Sequence, residues 1–235
     1  MRRATEFDER VILITGAKGG LGTPVTEAFL AAGAMVAGSS QSILDSDFAN
    51  PRFAGIRADL TVAESARELV TATIARFGKI DALVHVMGGF AGGQPIPETS
   101  DETWDAMMNL NLRAAFNVLR AVIPHMRQAG RGRIVAIASR QAAEPAANLS
   151  AYNTSKAALV ALIRTAAIEN EDAGITANTI LPGTMNTEGN RKASPGADPS
   201  KWVQTGHVAS IAMFLVSDAG AEITGAAIPV YGQSI

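Results

Sequence analysis

The chain has 235 residues and a mass of 24.4 kDa, and its 20 basic and 22 acidic residues give a formal net charge of −2. Hydrophobic residues make up 47% and charged residues 18%, which excludes a disordered protein, and a pI near 5.9 lacks the basic excess of nucleic-acid binders. The absence of cysteine excludes disulfide scaffolds, thiolate metal sites and thiol nucleophiles, and we expect no metal ion.

The first half of the chain alternates short apolar strands with amphipathic helices. Val11–Ile14 is an apolar, β-branched run typical of a buried parallel strand. The Ala-rich stretch Gly22–Ala32 is predicted to form a helix that ends at Gly33. The predicted elements that follow are strands at Met35–Ala37, Phe53–Ile56 and Ala82–Val86 and a helix at Val62–Phe77.

The second half continues this alternation. We expect helical structure over Trp104–Arg127, as one helix or as two with a break near Asn109. The remaining predicted elements are strands at Arg133–Ala138, Thr176–Leu181 and Ala227–Val230 and helices at Ala151–Glu171 and His207–Val216. Strands that alternate with helices of this length favour right-handed crossovers, and so predict an α/β fold with one parallel sheet covered on both faces.

One segment, Thr187–Lys201, has only weak patterning and is rich in Gly, Pro, Ser and charge. In a compact domain a loop of this length is usually functional, so we predict a mobile substrate loop.

A glycine-rich turn, Thr15–Gly22, joins the first predicted strand to the first predicted helix. Gly16 permits a tight turn, Gly20 lets backbone approach a phosphate, and Gly22 lets the helix pack closely on the sheet. The helix N-terminus offers free N–H groups and its dipole to a pyrophosphate. Such a turn is often only a turn, but its place at this junction favours a dinucleotide site.

Tyr152 and Lys156 lie four residues apart, on one face of the long predicted helix, and Ser139 precedes them at the end of a predicted strand. A tyrosine pKa near 10 makes the phenol a poor acid–base group at neutral pH unless a cation such as Lys156 stabilises the phenolate. Ser139 can hydrogen-bond a substrate oxygen. An isolated pair of this kind would more often only cover helix surface.

Taken together, the motifs resemble those of the short-chain dehydrogenase/reductase family along nearly the whole chain. The matching elements are the Thr15–Gly22 turn, Asp59-Leu60, Asn111-Leu112, Ser139, Tyr152 with Lys156, and Pro182-Gly183 with Thr187. The resemblance implies one Rossmann-type domain over residues 1–235, with a doubly wound parallel sheet flanked by helices on both faces. It also implies NAD(P) as cofactor, hydride transfer between nicotinamide and a carbonyl or alcohol carbon of a small-molecule substrate, and a homotetramer or homodimer.

The resemblance assigns roles residue by residue. Tyr152 would be the general acid in reduction, and Lys156 would lower its pKa and bind the nicotinamide ribose. Ser139 would orient the substrate oxygen, and Asn111 would position a water for proton relay. The implied cofactor-binding residues are Gly16, Lys18, Gly20, Leu21, Gly22, Ser40, Gln41, Asp59, Leu60, Gly88, Tyr152, Lys156, Pro182, Gly183, Met185 and Thr187.

The end of the second strand bears on cofactor choice. NAD-preferring relatives carry an acidic residue there that accepts bonds from both ribose hydroxyls, and this chain has Ser40. Ser39, Ser40 and Gln41 can donate hydrogen bonds to a 2′-phosphate, and Lys18 can add positive charge. We therefore expect NADP(H) to be favoured over NAD(H), modestly, because no Arg follows Ser40.

Two local features depart from the family pattern or point to a branch of it. His85-Val-Met-Gly88 stands where Asn-Asn-Ala-Gly is usual, and we interpret His85 as a core residue rather than a base. The glycine-rich stretch Gly88–Gly93 and the Thr184–Lys192 pattern are similar to those of dihydropteridine reductases, which reduce quinonoid dihydropterins and commonly lack the catalytic Ser. Because this chain has Ser139, reduction of a simple carbonyl compound remains an alternative to reduction of a dihydropterin.

A second class of function remains as an alternative, namely a non-catalytic dinucleotide-binding, redox-sensing regulator on the same fold. The presence of both Tyr152 and Lys156 favours the enzyme. The first ten residues have no apolar stretch, and the longest uncharged run, Ala28–Leu44, is too short and polar to cross a bilayer. We therefore expect a cytoplasmic protein with neither a membrane nor a nucleic-acid partner.

Overall fold

A computed structural model describes residues 6–233, so residues 1–5 and 234–235, the ends of the predicted domain, lie outside the described residues. The described residues form a parallel sheet in the order β3-β2-β1-β4-β5-β6-β7. Its strands are β1 Val11–Thr15, β2 Met35–Ser40, β3 Phe53–Arg57, β4 Ala82–His85, β5 Gly132–Ile137, β6 Ile175–Pro182 and β7 Ala227–Val230. The strand order reverses between β1 and β4, which confirms the predicted doubly wound topology.

Helices cover both faces of this sheet. They are α1 Gly22–Ala31, α2 Ala63–Phe77, α3 Asp101–Met108, α4 Ala114–Ala129, α5 Ser150–Glu169, α6 Glu188–Ala193 and α7 Thr205–Val216. Helices α2, α4 and α5 bury their apolar sides against one face, and α1 and α7 pack on the other. No helix formed by residues 6–233 has both the length and the apolar character that crossing a membrane requires.

The burial of β1 explains why Val11–Ile14 are all apolar. All five of its residues are fully buried, because helices cover both sides of it. Leu13 packs into the core under α2, α4 and α5, whereas Ile12 and Ile14 pack into the core under α1 and α7. In a strand with one face exposed to water, apolar residues would alternate with polar ones.

The expected interruption near Asn109 takes the form of a π-helical segment. Asn109–Arg113 joins α3 to α4 with wider helical turns, so the helical path continues through it. Ser100 caps the start of α3, since its Oγ accepts from Thr103 N at 3.2 Å. Single π-helical turns are frequent at functional sites, and this one contains the buried Asn111.

Among the predictions about element extent, two were wrong for segments that line the cleft. Strand β2 continues to Ser40 rather than ending at Ala37, because it pairs with a strand on each side and the Phe53 ring fills the space beside Gly38. The segment Thr187–Lys201 is not a structureless loop, since it contains α6, which Thr187 caps through its Oγ1, and a 3₁₀ turn at Pro199–Lys201. Its mobility stays a prediction.

Candidate active site

The carboxyl ends of the central strands open into a cleft of about 940 Å³, beside the point where the strand order reverses. Parallel α/β sheets bind ligands at such switch points. The predicted site residues that line the cleft are Gly16, Lys18, Gly20, Leu21, Gly22, Ser40, Gly88, Ser139, Tyr152, Lys156, Pro182, Gly183, Met185 and Thr187. Those outside its lining are Gln41, Asp59, Leu60 and Asn111.

The glycines of the first turn are required by close backbone contacts. Gly16 has φ +68°, and a Cβ there would lie 2.8 Å from Met87 N. A Cβ at Gly22 would lie 1.9 Å from Gly16 O, so the turn itself, rather than helix–sheet packing, demands this glycine. A Cβ at Gly20 would lie 3.1 Å from Thr187 Cβ, so the turn packs closely against the segment that leads into α6.

Ser139, Tyr152 and Lys156 meet on the floor of the cleft. Ser139 follows β5 and is buried, and its Oγ hydrogen-bonds with the Gln141 side chain. Lys156 reaches under the cleft from α5, and its Nζ donates to Ile137 O at 3.1 Å. Burial lowers the pKa of this ammonium to about 8.

Two influences act on the pKa of Tyr152 in opposite directions. Burial raises the pKa of the phenol above its ordinary value, and a hydrogen bond with Ser139 offsets part of that rise. The rise comes from burial, which penalises the charged phenolate and is the larger of these two influences. The lowering by Lys156 that the family resemblance implies stays a prediction.

Asn111 anchors the turn after β4. Its Oδ1 accepts from Gly89 N at 2.9 Å, and its Nδ2 donates to Gly89 O at 3.1 Å and to Ser155 Oγ at 3.0 Å. A Cβ at Gly88 would lie 2.7 Å from Asn111 Oδ1 and 3.0 Å from Lys156 Nζ. The Asn111 side chain, which is expected to position a water, is thus hydrogen-bonded to protein groups. The absence of a side chain at Gly88 leaves room for the side chains of Asn111 and Lys156.

Asp59 and Leu60 shape the turn after β3 and do not face the cleft. Asp59 Oδ1 accepts from both Thr61 N, at 3.0 Å, and Thr61 Oγ1, at 2.6 Å. Leu60 is buried in the core, and its carbonyl accepts from Asn117 Nδ2 at 2.9 Å. Asn117 on α4 is buried and was not predicted from the sequence, in which an amide within an apolar helical stretch was the only local signal.

Phe90 is a cleft residue that lies in the glycine-rich stretch Gly88–Gly93 and had no predicted role. Its side chain is 67% exposed, yet its ring packs edge-on against the ring of Tyr152. An exposed aromatic among glycines was the signal that could have identified it.

His85 is buried on β4, in agreement with its interpretation as a core residue. Its Nδ1 lies 2.8 Å from Thr15 Oγ1. Burial, helped by the nearby charge of Lys156, lowers its pKa to about 3, so the ring is neutral at physiological pH. A neutral, enclosed imidazole of this kind is a poor candidate for the base of the site.

The cleft fits a nicotinamide dinucleotide at several points. Its floor has no Cβ at Gly16 or Gly88, and its lining includes Ser40, whose buried hydroxyl has no hydrogen-bond partner among the described residues. Unpartnered buried hydroxyls favour a ligand that brings hydrogen-bonding groups. Lys156 and Tyr152 also line the cleft and supply an ammonium and a phenol.

Comparison with known proteins gives consistent results. Residues 10–198 match the family model described as short chain dehydrogenase. The chain is 34% identical to a D-threitol dehydrogenase of Mycolicibacterium smegmatis, over 96% of this chain and 93% of that protein. A short-chain type dehydrogenase/reductase from Mycobacterium ulcerans superposes with a TM-score of 0.91 at 28% identity, covering 97% of this chain and 90% of that one. A 3-ketoacyl-(acyl-carrier-protein) reductase from Brucella melitensis, complexed with NADH, superposes with a TM-score of 0.88 at 27% identity, covering 97% and 100%.

Proposed function

The chain belongs to the short chain dehydrogenase family of oxidoreductases, and we propose that it is an NAD(P)-dependent enzyme that interconverts a carbonyl compound and its alcohol. The observation that carries the proposal is the meeting of Ser139, Tyr152 and Lys156 in one cleft with the glycine-rich turn. The family match supports the reaction type, and the NADH complex of the Brucella relative supports the cofactor class.

The proposed cofactor contacts extend along the cleft. The glycine-rich turn and the N-terminus of α1 would hold the pyrophosphate, Lys156 the nicotinamide ribose, and the Pro182–Thr187 segment the carboxamide. Asp59 and Leu60 would act by shaping the adenine rim, since their side chains do not line the cleft. When bound, the nicotinamide gives or takes the hydride.

Proton transfer is assigned to Tyr152. In reduction, its Oη donates a proton to the substrate oxygen while Ser139 Oγ donates a hydrogen bond to the same oxygen. The raised pKa of Tyr152 keeps the phenol protonated, which is the form that a general acid needs. Lys156, charged below pH about 8, then stabilises the phenolate left behind.

The substrate end of the cleft favours an uncharged, apolar carbonyl compound. Apolar side chains of the lining include those of Phe90, Leu149 and Ala193, and the Phe90 ring packs against that of Tyr152. Among the described residues, the charged side chains that line the cleft are Lys18 and Lys156, and both are assigned to the cofactor. A carboxylate or phosphate on the substrate would therefore find no dedicated partner near Tyr152.

A homodimer or homotetramer through α4 and α5 is also proposed. Phe116 on α4 and Ile168 on α5 are exposed apolar side chains, with 37% and 72% of their surface accessible, and a subunit contact would cover them. Sedimentation of the purified protein measures the assembly directly.

A turnover screen tests the reaction. The purified protein is given NADPH or NADH with apolar ketones, imines and a quinonoid dihydropterin, and cofactor absorbance is followed. Oxidation of the reduced cofactor with ketones supports the proposal, and turnover confined to the dihydropterin would move the chain to the pterin-reducing branch. Tight cofactor binding without turnover on any of these classes would instead favour the redox-sensing regulator.

A further inference from the structure

A salt bridge holds one of the two lysines that line the cleft. The Nζ atom of Lys18, in the glycine-rich turn, lies 2.8 Å from Asp47 Oδ1. Lys18 lines the cleft together with Ser40 and Ser42, whereas Asp47 belongs to a short 3₁₀ turn, Asp45–Asp47, that follows β2. The bridge therefore joins the glycine-rich turn to the segment that comes after the second strand.

Asp47 is the fixed partner of this bridge. Its Oδ2 accepts from Leu44 N at 2.9 Å, and the adjacent Asp45 Oδ1 accepts from Gly55 N at 2.7 Å. A Cβ at Gly55 would lie 2.7 Å from the Leu44 carbonyl carbon, so the turn packs directly on β3. The Asp47 side chain is 19% exposed, whereas that of Lys18 is 44% exposed and reaches it on a flexible stem. The lysine is thus the partner that can move.

The end of β2 beside Lys18 has a polar group without a partner. The Oγ atom of Ser40, which lines the cleft, is buried and has no hydrogen-bond partner among residues 6–233. Ala17 N donates to Ser39 O at 3.1 Å, which ties this strand end to the residue before Lys18. At this position a dinucleotide would present its adenosine ribose, with either a 2′-hydroxyl or a 2′-phosphate.

We propose that Asp47 sets the discrimination between NADP(H) and NAD(H) by competing with the 2′-phosphate for Lys18. The inference rests on the proposed dinucleotide site. While paired with Asp47, Lys18 adds no net charge to this rim, and the carboxylate itself repels a phosphate. A 2′-phosphate must draw Lys18 away from Asp47 to gain a charge-assisted hydrogen bond, whereas an uncharged 2′-hydroxyl gains little from the same ammonium. Asp47 therefore weakens NADP(H) binding and leaves NAD(H) binding nearly unchanged.

Calorimetric titration with 2′,5′-ADP and 5′-AMP tests this without requiring turnover. Asp47→Asn keeps an oxygen for Leu44 N but removes the charge. We expect it to tighten 2′,5′-ADP binding about three- to fivefold at low salt, the upper part of what releasing a surface ion pair gives, with 5′-AMP affinity within about twofold of the parent. Asp45→Asn is the matched control, because Asp45 binds Gly55 N and not Lys18, and it should leave the ratio of the two affinities unchanged.

The variant Lys18→Met tests whether the gain in 2′,5′-ADP affinity expected of Asp47→Asn depends on Lys18. Alone it should weaken 2′,5′-ADP binding, and in combination with Asp47→Asn it should leave only the smaller gain that comes from removing the repulsive carboxylate. Two results would overturn the inference: an unchanged ratio of the two affinities in Asp47→Asn, or the same full gain from Asp47→Asn when it is combined with Lys18→Met. Binding of 5′-AMP in these variants would show that the dinucleotide site itself is intact. Failure of the parent to bind either nucleotide would overturn the site itself and this inference with it.

Discussion

The ring of Phe90 meets the ring of Tyr152 edge to face, with centroids 4.9 Å apart and 73° between the ring planes. One ring is mostly exposed in the cleft, and the other belongs to the residue assigned to proton transfer. Phe90 therefore covers part of the phenol and offers its remaining surface to a substrate.

Replacing Phe90 with alanine should change both the affinity for substrate and the pKa of Tyr152. We expect the KM for apolar ketones to rise more than kcat falls, because contact with the substrate is lost, and Phe90→Leu should restore part of the affinity. The pKa of Tyr152 should move down toward its ordinary value, because burial is what raises it. The chain has only two tyrosines, so ultraviolet titration in a Tyr231→Phe background reports Tyr152 alone. An unchanged titration curve would mean that Phe90 does not shield the phenol.

Tyr152→Phe should keep cofactor affinity and lose turnover. Removing the phenol hydroxyl takes away general acid catalysis, which contributes roughly 10²–10⁴-fold in rate, while leaving the ring that packs against Phe90. Steady-state kinetics and NADPH fluorescence titration measure the two effects separately. Turnover equal to that of the parent would remove Tyr152 from the mechanism.

Lys156→Met should stabilise the cofactor-free protein at neutral pH. The folded-state pKa of Lys156 is about 8, against an ordinary value of 10.5, so the unfolded state binds more protons between these values. Parent stability therefore rises with pH across that window, and below pH 8 the full penalty of the buried charge is present. We expect the variant to be more stable at pH 7 by about 1–3 kcal/mol, after allowance for the lost hydrogen bond to Ile137 O, with the gap shrinking toward pH 10.

Urea unfolding of the two proteins at several pH values measures this gap. Lys192→Met is the control, since the Lys192 side chain is 76% exposed and its charge is not buried. A gap that does not change with pH would show that Lys156 keeps an ordinary pKa in the folded protein.

Gly88→Ala should disable the site by displacing its neighbours. The added methyl would lie within 3.0 Å of both Asn111 Oδ1 and Lys156 Nζ, so one of these side chains must move. We expect a loss of stability of about 1–3 kcal/mol together with a drop in kcat/KM. Gly206→Ala on α7 is the control, because a Cβ there meets no atom within 4 Å. Parent-like kinetics for Gly88→Ala would mean that the turn after β4 relaxes freely.

Residues 187–201 are predicted to close over the filled site. Thr187 contacts Gly20 of the glycine-rich turn, and Asn190, Ala193 and Ser194 line the cleft, so ligands on the cleft floor would contact this segment. Limited proteolysis should cut within it more slowly when NADPH and a ketone are present than in the free protein. Equal cleavage rates in the two states would argue against a lid.

Local features of the sequence determined much of the fold and the positions of its principal groups. The alternation of strands and helices predicted the parallel sheet, because parallel pairing needs a crossover between strands. The four-residue spacing of Tyr152 and Lys156 placed both on one face of α5, because helix periodicity depends only on spacing. The position of the glycine-rich turn after β1 likewise followed from the order of elements alone.

Only the tertiary structure decided the pKa values and the hydrogen-bond and charge partners of these side chains. Burial of Tyr152 and Lys156 shifts both pKa values, and the extent of burial depends on segments distant in the chain. Asn111 proved to hold Gly89, and Lys18 proved to pair with Asp47, 29 positions later; no local pattern encodes either contact. The physical reason is that periodicity arises from neighbours in sequence, whereas desolvation and charge pairing arise from neighbours in space.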